Sequence, residues 1–317
     1  MNQSYAIAGQ NIFREAGCTN GTLSAQIQCL TTTKVDLTAL PDVARYVVQD
    51  GTIVNTPELE LRAPSANTAH VPVMFGTTKS EGAAFVGYNK TCTTELSCLM
   101  SNIGISQFAA QSIIDSGLFP FPNTGNVTAD AFNVSQRITT DNTFKCVDQA
   151  TVYAGAVSGA FAKAYYWQSN RTEGGYNPNN VDDNGPVVPG YPNGDPELPY
   201  YSVHGADMNF VWENPITLRD AKDLPDQQLQ SGMISAFIRS GDPNPGEGYL
   251  TARGYTSTLQ LTKKSGAWMP IENDQGPIKV FDYLAYTEPF QELAQCAFLG
   301  YPISYCAYTD QYPIYIH

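Results

Sequence analysis

Two side chains in this 317-residue sequence have the types and the surroundings that acid–base chemistry requires, Glu81 and His204. Glu81 follows the apolar run Val71–Gly76 and is the only carboxylate between Glu60 and Glu95. A carboxylate presented at the end of a buried strand can orient the imidazole of a catalytic histidine and stabilise its cation. Because most glutamates are exposed, an ordinary surface residue is the alternative interpretation of Glu81.

His204 follows a long stretch rich in Gly, Pro, Asn and Asp, residues 171–199, and precedes Gly205. Loops of this length inside compact domains are usually functional or disordered. Taken alone, a single histidine is commonly a structural residue. An acid followed 123 positions later by a histidine, however, fits the order of the α/β-hydrolase triad, in which the nucleophile comes first and the histidine last.

The elements around these two residues predict an α/β fold. The run at 71–76 is apolar, has β-branched residues and ends at a glycine, which predicts a strand covered on both faces. Residues 161–167 and 278–281 are two further strand candidates, and a helix is expected from about Asp226 to Arg239. Apolar and polar residues alternate over residues 45–55, which predicts a strand at the surface. Chemistry in such sheets gathers at the carboxyl ends of strands, where Glu81 lies.

Composition excludes several classes of protein. The net charge of −13 repels phosphate backbones and anionic lipid surfaces, so no nucleic acid partner is expected. No apolar run reaches the eighteen or so residues of a membrane span. With three histidines and no CxxC pair the sequence implies no zinc cluster, and no metal or organic cofactor is expected.

Cysteines and glycosylation signals favour an oxidising, extracellular compartment. Spacing predicts a disulfide between Cys18 and Cys29. It also allows Cys92 with Cys98 and Cys296 with Cys306, while Cys146 could take a partner near the carboxyl terminus and leave an odd thiol. Residues 1–6 do not form a secretory signal, so the true amino terminus is expected upstream. Six Asn-X-Ser/Thr sequons begin at Asn2, Asn20, Asn89, Asn126, Asn133 and Asn170.

Several segments resemble the type B carboxylesterases, the group that includes cholinesterases and secreted fungal lipases. Residues 71–82 are similar to the family segment in which a strand ends in Gly-x-Asn-Lys-Asp-Glu-Gly and the Glu is the triad acid. Thr78 stands for the usual Asn and Ser80 for the usual Asp, whereas the acid itself is present as Glu81. Val203–Asp207 resembles the histidine loop, so the resemblance implies catalytic roles for Glu81 and His204.

The resemblance extends over most of the chain. The segments 16–30, 140–146, 240–245 and 268–270 resemble, in order, a small disulfide loop, a helix start with Asp-x-x-Phe-x-Cys, a Gly-Asp-Pro-Asn-Pro turn and a Trp-Pro signature. They correspond to the carboxyl-terminal part of a family member. Residues 1–317 are therefore interpreted as one incomplete carboxylesterase domain, a partial α/β-hydrolase fold with the carboxyl-terminal half of the central sheet, its covering helices and no nucleophile-bearing half.

No Gly-x-Ser-x-Gly segment and no glycine-rich oxyanion loop occur in the sequence; Gly155–Gly159 has its serine one place too late. The chain alone is therefore expected to be inactive, with an incomplete, aggregation-prone sheet. An ester hydrolase, acting on a short, lipid or sterol ester, is the first hypothesis. The alternatives are a non-catalytic, cholinesterase-like binding protein and an unrelated secreted binding domain. Presence of both Glu81 and His204 favours the hydrolase.

Overall fold

A computed structural model describes residues 10–34, 51–56, 59–64, 66, 69–171, 188–192, 201–214, 218 and 221–307. The chain divides into two compact units, residues 1–60 and residues 61–317. The second unit contains the sheet and both candidate catalytic residues.

The first unit contains two short helices, α1 (Gln10–Glu15) and α2 (Leu23–Thr32). The Thr22 side chain accepts a hydrogen bond from the Ala25 N–H and so caps α2. A disulfide joins Cys18 to Cys29 across the turn between the helices. The expected surface strand is wrong for residues 51–56, which form bends, and residues 45–50 lie outside the described residues.

The second unit contains a four-stranded sheet in the order β1-β2-β3-β4. Strands β1 to β3 are parallel, which confirms the three predicted strands, and β4 returns antiparallel along β3. β4 is only three residues long and was not predicted, because so short a segment carries no readable alternation. The strands are β1 (Pro72–Thr78), β2 (Lys163–Ser169), β3 (Ile278–Phe281) and β4 (Tyr286–Glu288).

β1 is an edge strand of the described sheet, and it is less covered than the sequence predicted. Val73, Met74 and Phe75 are only half-buried, whereas Thr77 and Thr78 at the end of the strand are buried. In contrast, six of the seven residues of β2 are buried. The prediction that β1 is covered on both faces is therefore wrong for its first five residues, because within the described part of the chain only β2 pairs with it.

Helices cover both faces of the sheet. The expected helix at 226–239 is confirmed as α8, although it begins three residues earlier. A single turn of 3₁₀ helix, Glu81–Ala84, follows β1, and a π-helical turn, Asp141–Lys145, joins α5 directly to α6. The helices of this unit are α3 (Glu95–Ile103), α4 (Gln107–Ser116), α5 (Val127–Thr140), α6 (Cys146–Val157), α7 (Met208–Val211), α8 (Asp223–Ser240), α9 (Glu247–Ala252), α10 (Thr256–Ser265) and α11 (Leu293–Phe298).

The strands alternate their side chains between two apolar layers. On one face, Ala164 and Tyr166 of β2 pack with Val152 and Ala154 of α6. On the other face, Tyr165 and Trp167 pack with residues of α8 and with Trp268, and a third apolar layer joins α3, α4 and α5. β2 is therefore the central element of the packing.

One buried acid in α8, Asp226, has no hydrogen bond to its carboxylate among the described residues. Asp226 is 1% exposed. Burial raises the pKa of Asp226 to about 7, against the opposing attraction of Arg171. A buried carboxyl group whose oxygens form no hydrogen bonds favours its neutral, protonated form.

Two further disulfides lie in the second unit. Cys92 bonds to Cys98, and Cys146 at the start of α6 bonds to Cys296 in α11. The alternative pairing of Cys296 with Cys306 is therefore wrong; Cys306 instead lies 3.7 Å from the Thr151 hydroxyl. The Cys146–Cys296 bond spans 150 positions and fixes α11 to the helix that covers the sheet.

Gly76 of β1 provides a test of this packing. Gly76 lies opposite Trp167 of β2, and a Cβ atom at this position would overlap the indole ring. We expect Gly76→Ala to lower the free energy of unfolding by about 1–3 kcal/mol because the ring must move in a packed layer. Urea denaturation followed by circular dichroism measures the change.

The matched control for this variant is Gly248→Ala in α9, where a Cβ would meet no atom within 4 Å. Alanine in a helix interior should leave stability unchanged or raise it by up to about 1 kcal/mol. Equal behaviour of the two variants would contradict the close packing of Gly76 on Trp167.

Candidate active site

Glu81 is held by the backbone immediately before it. It begins the 3₁₀ turn after β1 and is 6% exposed. The Thr78 N–H donates a 2.6 Å hydrogen bond to Glu81 Oε1. Such a charge-assisted bond fixes the carboxylate in one orientation and leaves its second oxygen for another donor.

That second oxygen contacts His204. The distance between His204 Nδ1 and Glu81 Oε2 is 2.6 Å, and Glu81 is the only hydrogen-bond partner of His204 among the described residues. Because an ionised carboxylate only accepts hydrogen bonds, the proton of a neutral imidazole lies on Nδ1. Nε2 is then a free acceptor on a ring whose side chain is 54% exposed.

Backbone hydrogen bonds join the loop after β1 to the loop of the histidine. The Ser80 N–H donates to the Ser202 carbonyl at 2.9 Å, and the Lys79 N–H donates to the Ser169 carbonyl at 2.9 Å. The Ser202 hydroxyl in turn donates to the Ser169 carbonyl at 3.1 Å. The ends of β1 and β2 and the histidine loop therefore form one connected structure.

Gly82 allows the acid loop to approach α5. Its N–H donates to the Thr140 hydroxyl at 2.9 Å, and a Cβ at Gly82 would lie 2.7 Å from the Thr140 nitrogen. The φ of Gly82 is not positive, so this position requires glycine because there is no room for a side chain.

Two phenyl rings flank the imidazole of His204. The centroids of Phe85 and Phe144 lie 5.4 and 5.2 Å from the centre of the His204 ring. Phe144 belongs to the π-helical turn, which inserts an extra residue between α5 and α6. These contacts restrict the ring on the side that Glu81 does not hold.

Acidic groups around Glu81 have raised pKa values. Burial raises the pKa of Asp148 to about 6, and the negative charge of Glu81 adds to this. Burial likewise raises the pKa of Asp207, three residues after His204. The pKa of Asp141 rises to about 7, mainly through burial and despite the Lys145 ammonium 3.7 Å away. Further negative charge beside the Glu81–His204 pair is therefore disfavoured.

An apolar groove of about 580 Å³ begins beside this pair. Phe85 lines the groove and also contacts the His204 ring, so the groove and the imidazole share one wall. Phe108 also lines the groove and is 83% exposed. The remaining lining is largely aliphatic and aromatic, with Val86, Ile103, Ile105, Ile113, Ile138, Phe298 and Leu299.

Sequence reasoning missed several of these residues. Phe144 lies inside the Asp141–Cys146 motif, yet nothing in the motif showed that this ring meets His204. Thr140, Ser202 and Asp148 act through contacts between segments far apart in the chain, and no spacing rule indicates them. No pattern in the sequence indicated that an apolar groove lies beside Phe85.

The predicted glycosylation asparagines lie in different settings. Asn20 is exposed, and Asn126 is exposed while it caps α5. Asn89 and Asn170 are half-buried and hydrogen bonded to Ser101 and Tyr286. Asn133 lies within α5, and its side chain hydrogen bonds to Tyr201. Asn2 lies outside the described residues.

Comparison with known proteins identifies the family. The sequence model of the carboxylesterase family matches residues 8–289, so this chain belongs to the carboxylesterase family. No curated protein matches the sequence. The resemblance derived from the motifs is thereby confirmed, and the mixed sheet with covering helices is compatible with a partial α/β fold.

The described residues show no feature of a membrane span or of a metal centre. Among the helices described by the structure, none combines the length and the apolar character of a membrane span. Within the same residues, no group of three or more His, Cys, Asp or Glu side chains is arranged to hold a metal ion.

The geometry of Glu81 and His204 can be tested without a substrate. A 2.6 Å contact to a carboxylate should protect the His204 Nδ1 proton from exchange and shift its proton NMR resonance to low field. We expect Glu81→Gln to move or remove this resonance. His70→Gln is the matched control, since His70 Nδ1 lies 3.3 Å from the Ala160 carbonyl and the ring bonds to no carboxylate within the described ranges. A low-field signal that survives in Glu81→Gln would contradict the assigned pair.

Proposed function

We propose that this chain carries the acid and the general base of a serine-type carboxylic-ester hydrolase, with Glu81 as the acid and His204 as the base. The observation that carries the proposal is the 2.6 Å contact between His204 Nδ1 and a buried carboxylate whose other oxygen is held by the Thr78 N–H. This arrangement leaves Nε2 free to take a proton from a hydroxyl, and the charge of Glu81 stabilises the imidazolium that forms.

In this proposal residues 1–317 form one carboxylesterase domain without its nucleophile. Ester cleavage by a triad requires a serine Oγ at Nε2, placed there by a strained Gly-x-Ser-x-Gly turn, and donors for the oxyanion. The 317 residues contain no such turn. The chain by itself therefore forms no acyl-serine intermediate, and hydrolysis at the rate of a triad needs a serine from outside this sequence.

The groove beside Phe85 supports an ester with an extended apolar part as the substrate. Ten of its fourteen lining residues are aliphatic or aromatic and four are polar, Ser112, Thr139, Asn142 and Thr143, so the apolar acyl or alcohol chain of an ester would gain from burial there. Because Phe85 contacts both the groove and His204, a chain in the groove would bring its ester group to the imidazole. Lipid esters fit this shape better than short esters.

The location proposed for the protein is extracellular. Three disulfides join Cys18 to Cys29, Cys92 to Cys98 and Cys146 to Cys296. Such bonds persist in oxidising compartments and are rare in the cytosol. The proposed asparagine-linked glycosylation at Asn20 and Asn126 suits their exposure.

A non-catalytic binding protein is the competing function, and reactivity of His204 separates the two. We expect the purified chain to hydrolyse p-nitrophenyl butyrate slowly, since an imidazole held by a carboxylate and open at Nε2 can act as a base or nucleophile toward an activated ester. His204→Gln should remove this residual activity, and Glu81→Gln should reduce it. An organophosphonate should give no adduct.

His70→Gln is the control for nonspecific imidazole reactivity and should retain the residual rate. Equal hydrolysis rates for the parent chain and for His204→Gln would contradict the assignment of His204 as the base. That result would favour the non-catalytic binding protein. Stoichiometric labelling of a serine by the organophosphonate would instead show that this chain holds a working nucleophile.

The apolar groove makes a separate prediction. We expect the chain to bind 1-octanol, a neutral probe with an apolar chain, and we expect Ala109→Trp, which adds a ring to the groove lining, to weaken that binding by about tenfold, equivalent to about 1.4 kcal/mol. Isothermal calorimetry measures the affinity. Gln107→Trp adds the same ring to the same helix α4 outside the lining and should leave binding unchanged; equal losses would contradict the groove as the site.

A further inference from the structure

A second cavity, distinct from the apolar groove, lies along helix α8. Its volume is about 340 Å³, within the range of small-molecule sites. α8 contributes one side through Gln228, Ser231, Gly232, Ser235 and Arg239, which recur at helical spacing and share one face. Residues of α9, α10 and the segment after α7 complete the wall. The proposed ester chemistry does not use this cavity.

The cavity contains a cation that is stacked but not paired. The Arg239 guanidinium lies 4.7 Å from the centroid of the Tyr249 ring. Within the described residues Arg239 forms no salt bridge and no side-chain hydrogen bond. Stacking occupies the face of a guanidinium and leaves its in-plane N–H donors directed outward, where they match the two oxygens of a carboxylate.

Two residues with hydroxyl side chains, Ser231 and Thr258, also lie in the wall of the cavity. Ser231 is 8% exposed and Thr258 is 4% exposed, and both line the cavity. Neither side-chain oxygen has a hydrogen-bond partner in the part of the chain that the structure describes. Each hydroxyl can therefore donate a hydrogen bond to a polar atom of a ligand in the cavity. The wall therefore presents unused donors beside Arg239.

Flat aromatic surfaces complete the cavity. Trp212 and Tyr255 line it together with Tyr249, and Trp212 is 61% exposed. Exposed aromatic rings beside a cationic fork suit a ligand with a flat apolar body and an anionic end. Glu213 is the one acidic residue of the lining, so an anionic end should lie toward Arg239 and away from Glu213.

We propose that the cavity along α8 binds a small aromatic carboxylate, with its carboxylate on Arg239 and its ring against Trp212 and Tyr249. In a chain with a net charge of −13, such binding depends on a local cation and not on general attraction. Trp212 follows His204 by eight positions, at the end of α7, so occupancy would also restrain the segment that follows the histidine loop.

Phenylacetate and its neutral analogue phenylacetamide test the proposal with the full chain. Trp212 reports binding by fluorescence because the other two tryptophans, Trp167 and Trp268, are buried. We expect saturable one-to-one binding of phenylacetate, confirmed by calorimetry, and an affinity for phenylacetamide lower by about tenfold or more because it cannot form the charge-assisted pair. Equal affinities, or no saturation by phenylacetate, would overturn the proposal.

Variants of this chain distinguish binding in the cavity from binding at other cationic or catalytic residues. Arg239→Met should weaken phenylacetate binding by about tenfold or more. Arg253→Met is the matched control: Arg253 lies 5.9 Å from the same Tyr249 ring but does not line the cavity, and its loss should change affinity by about twofold at most.

His204→Gln should leave phenylacetate binding unchanged, which distinguishes this cavity from the candidate active site. Thermal unfolding shows whether each variant is folded. Equal losses in Arg239→Met and Arg253→Met would indicate nonspecific attraction and would overturn the proposal, as would loss in His204→Gln.

Discussion

The arrangement of the candidate site depends on one carboxylate, that of Glu81, whose two oxygens form hydrogen bonds with different partners. Glu81 gives one oxygen to the Thr78 N–H and the other to His204 Nδ1, each at 2.6 Å. The first bond orients the acid and the second orients the base. The second bond requires that residues 123 positions apart in the chain lie side by side. The backbone hydrogen bond between Ser80 and Ser202 joins the two loops that carry them. Because the Glu81 side chain is buried and the His204 side chain is about half exposed, the carboxylate is shielded from solvent and the imidazole is accessible to it.

Strand β2 determines where this pair can form. It pairs with β1 over seven residues and with β3 over three, and both of its faces are buried. β1, by contrast, is supported on one edge only in the described sheet, and it still ends in buried threonines that lead into Glu81. Glu81 therefore follows the buried end of β1, although the rest of this strand is only half-buried. Thr140 and the π-helical turn add support from the helical side.

Much of this could be predicted from sequence because it rests on local patterns. The apolar run before Glu81, the long polar stretch before His204 and the glycine after α8 are all readable without coordinates. Contacts between distant segments were not readable. Phe144 against His204 and Cys146 with Cys296 join positions separated by 60 and 150 residues, and spacing alone left the cysteine pairing open. β4 and the π-helical turn were too short or too irregular to show a period.

The buried acids give the fold an unusual response to proton concentration. Burial raises the pKa of Asp141 and Asp226 to about 7 and that of Asp148 to about 6, from the 3.8 of an unburied aspartate. Between about pH 4 and pH 7 the folded chain therefore binds protons at these positions that the unfolded chain has released. Their contribution to stability is therefore greatest below about pH 4 and declines as the pH rises from there to about 7, the reverse of the effect of salt-bridged carboxylates.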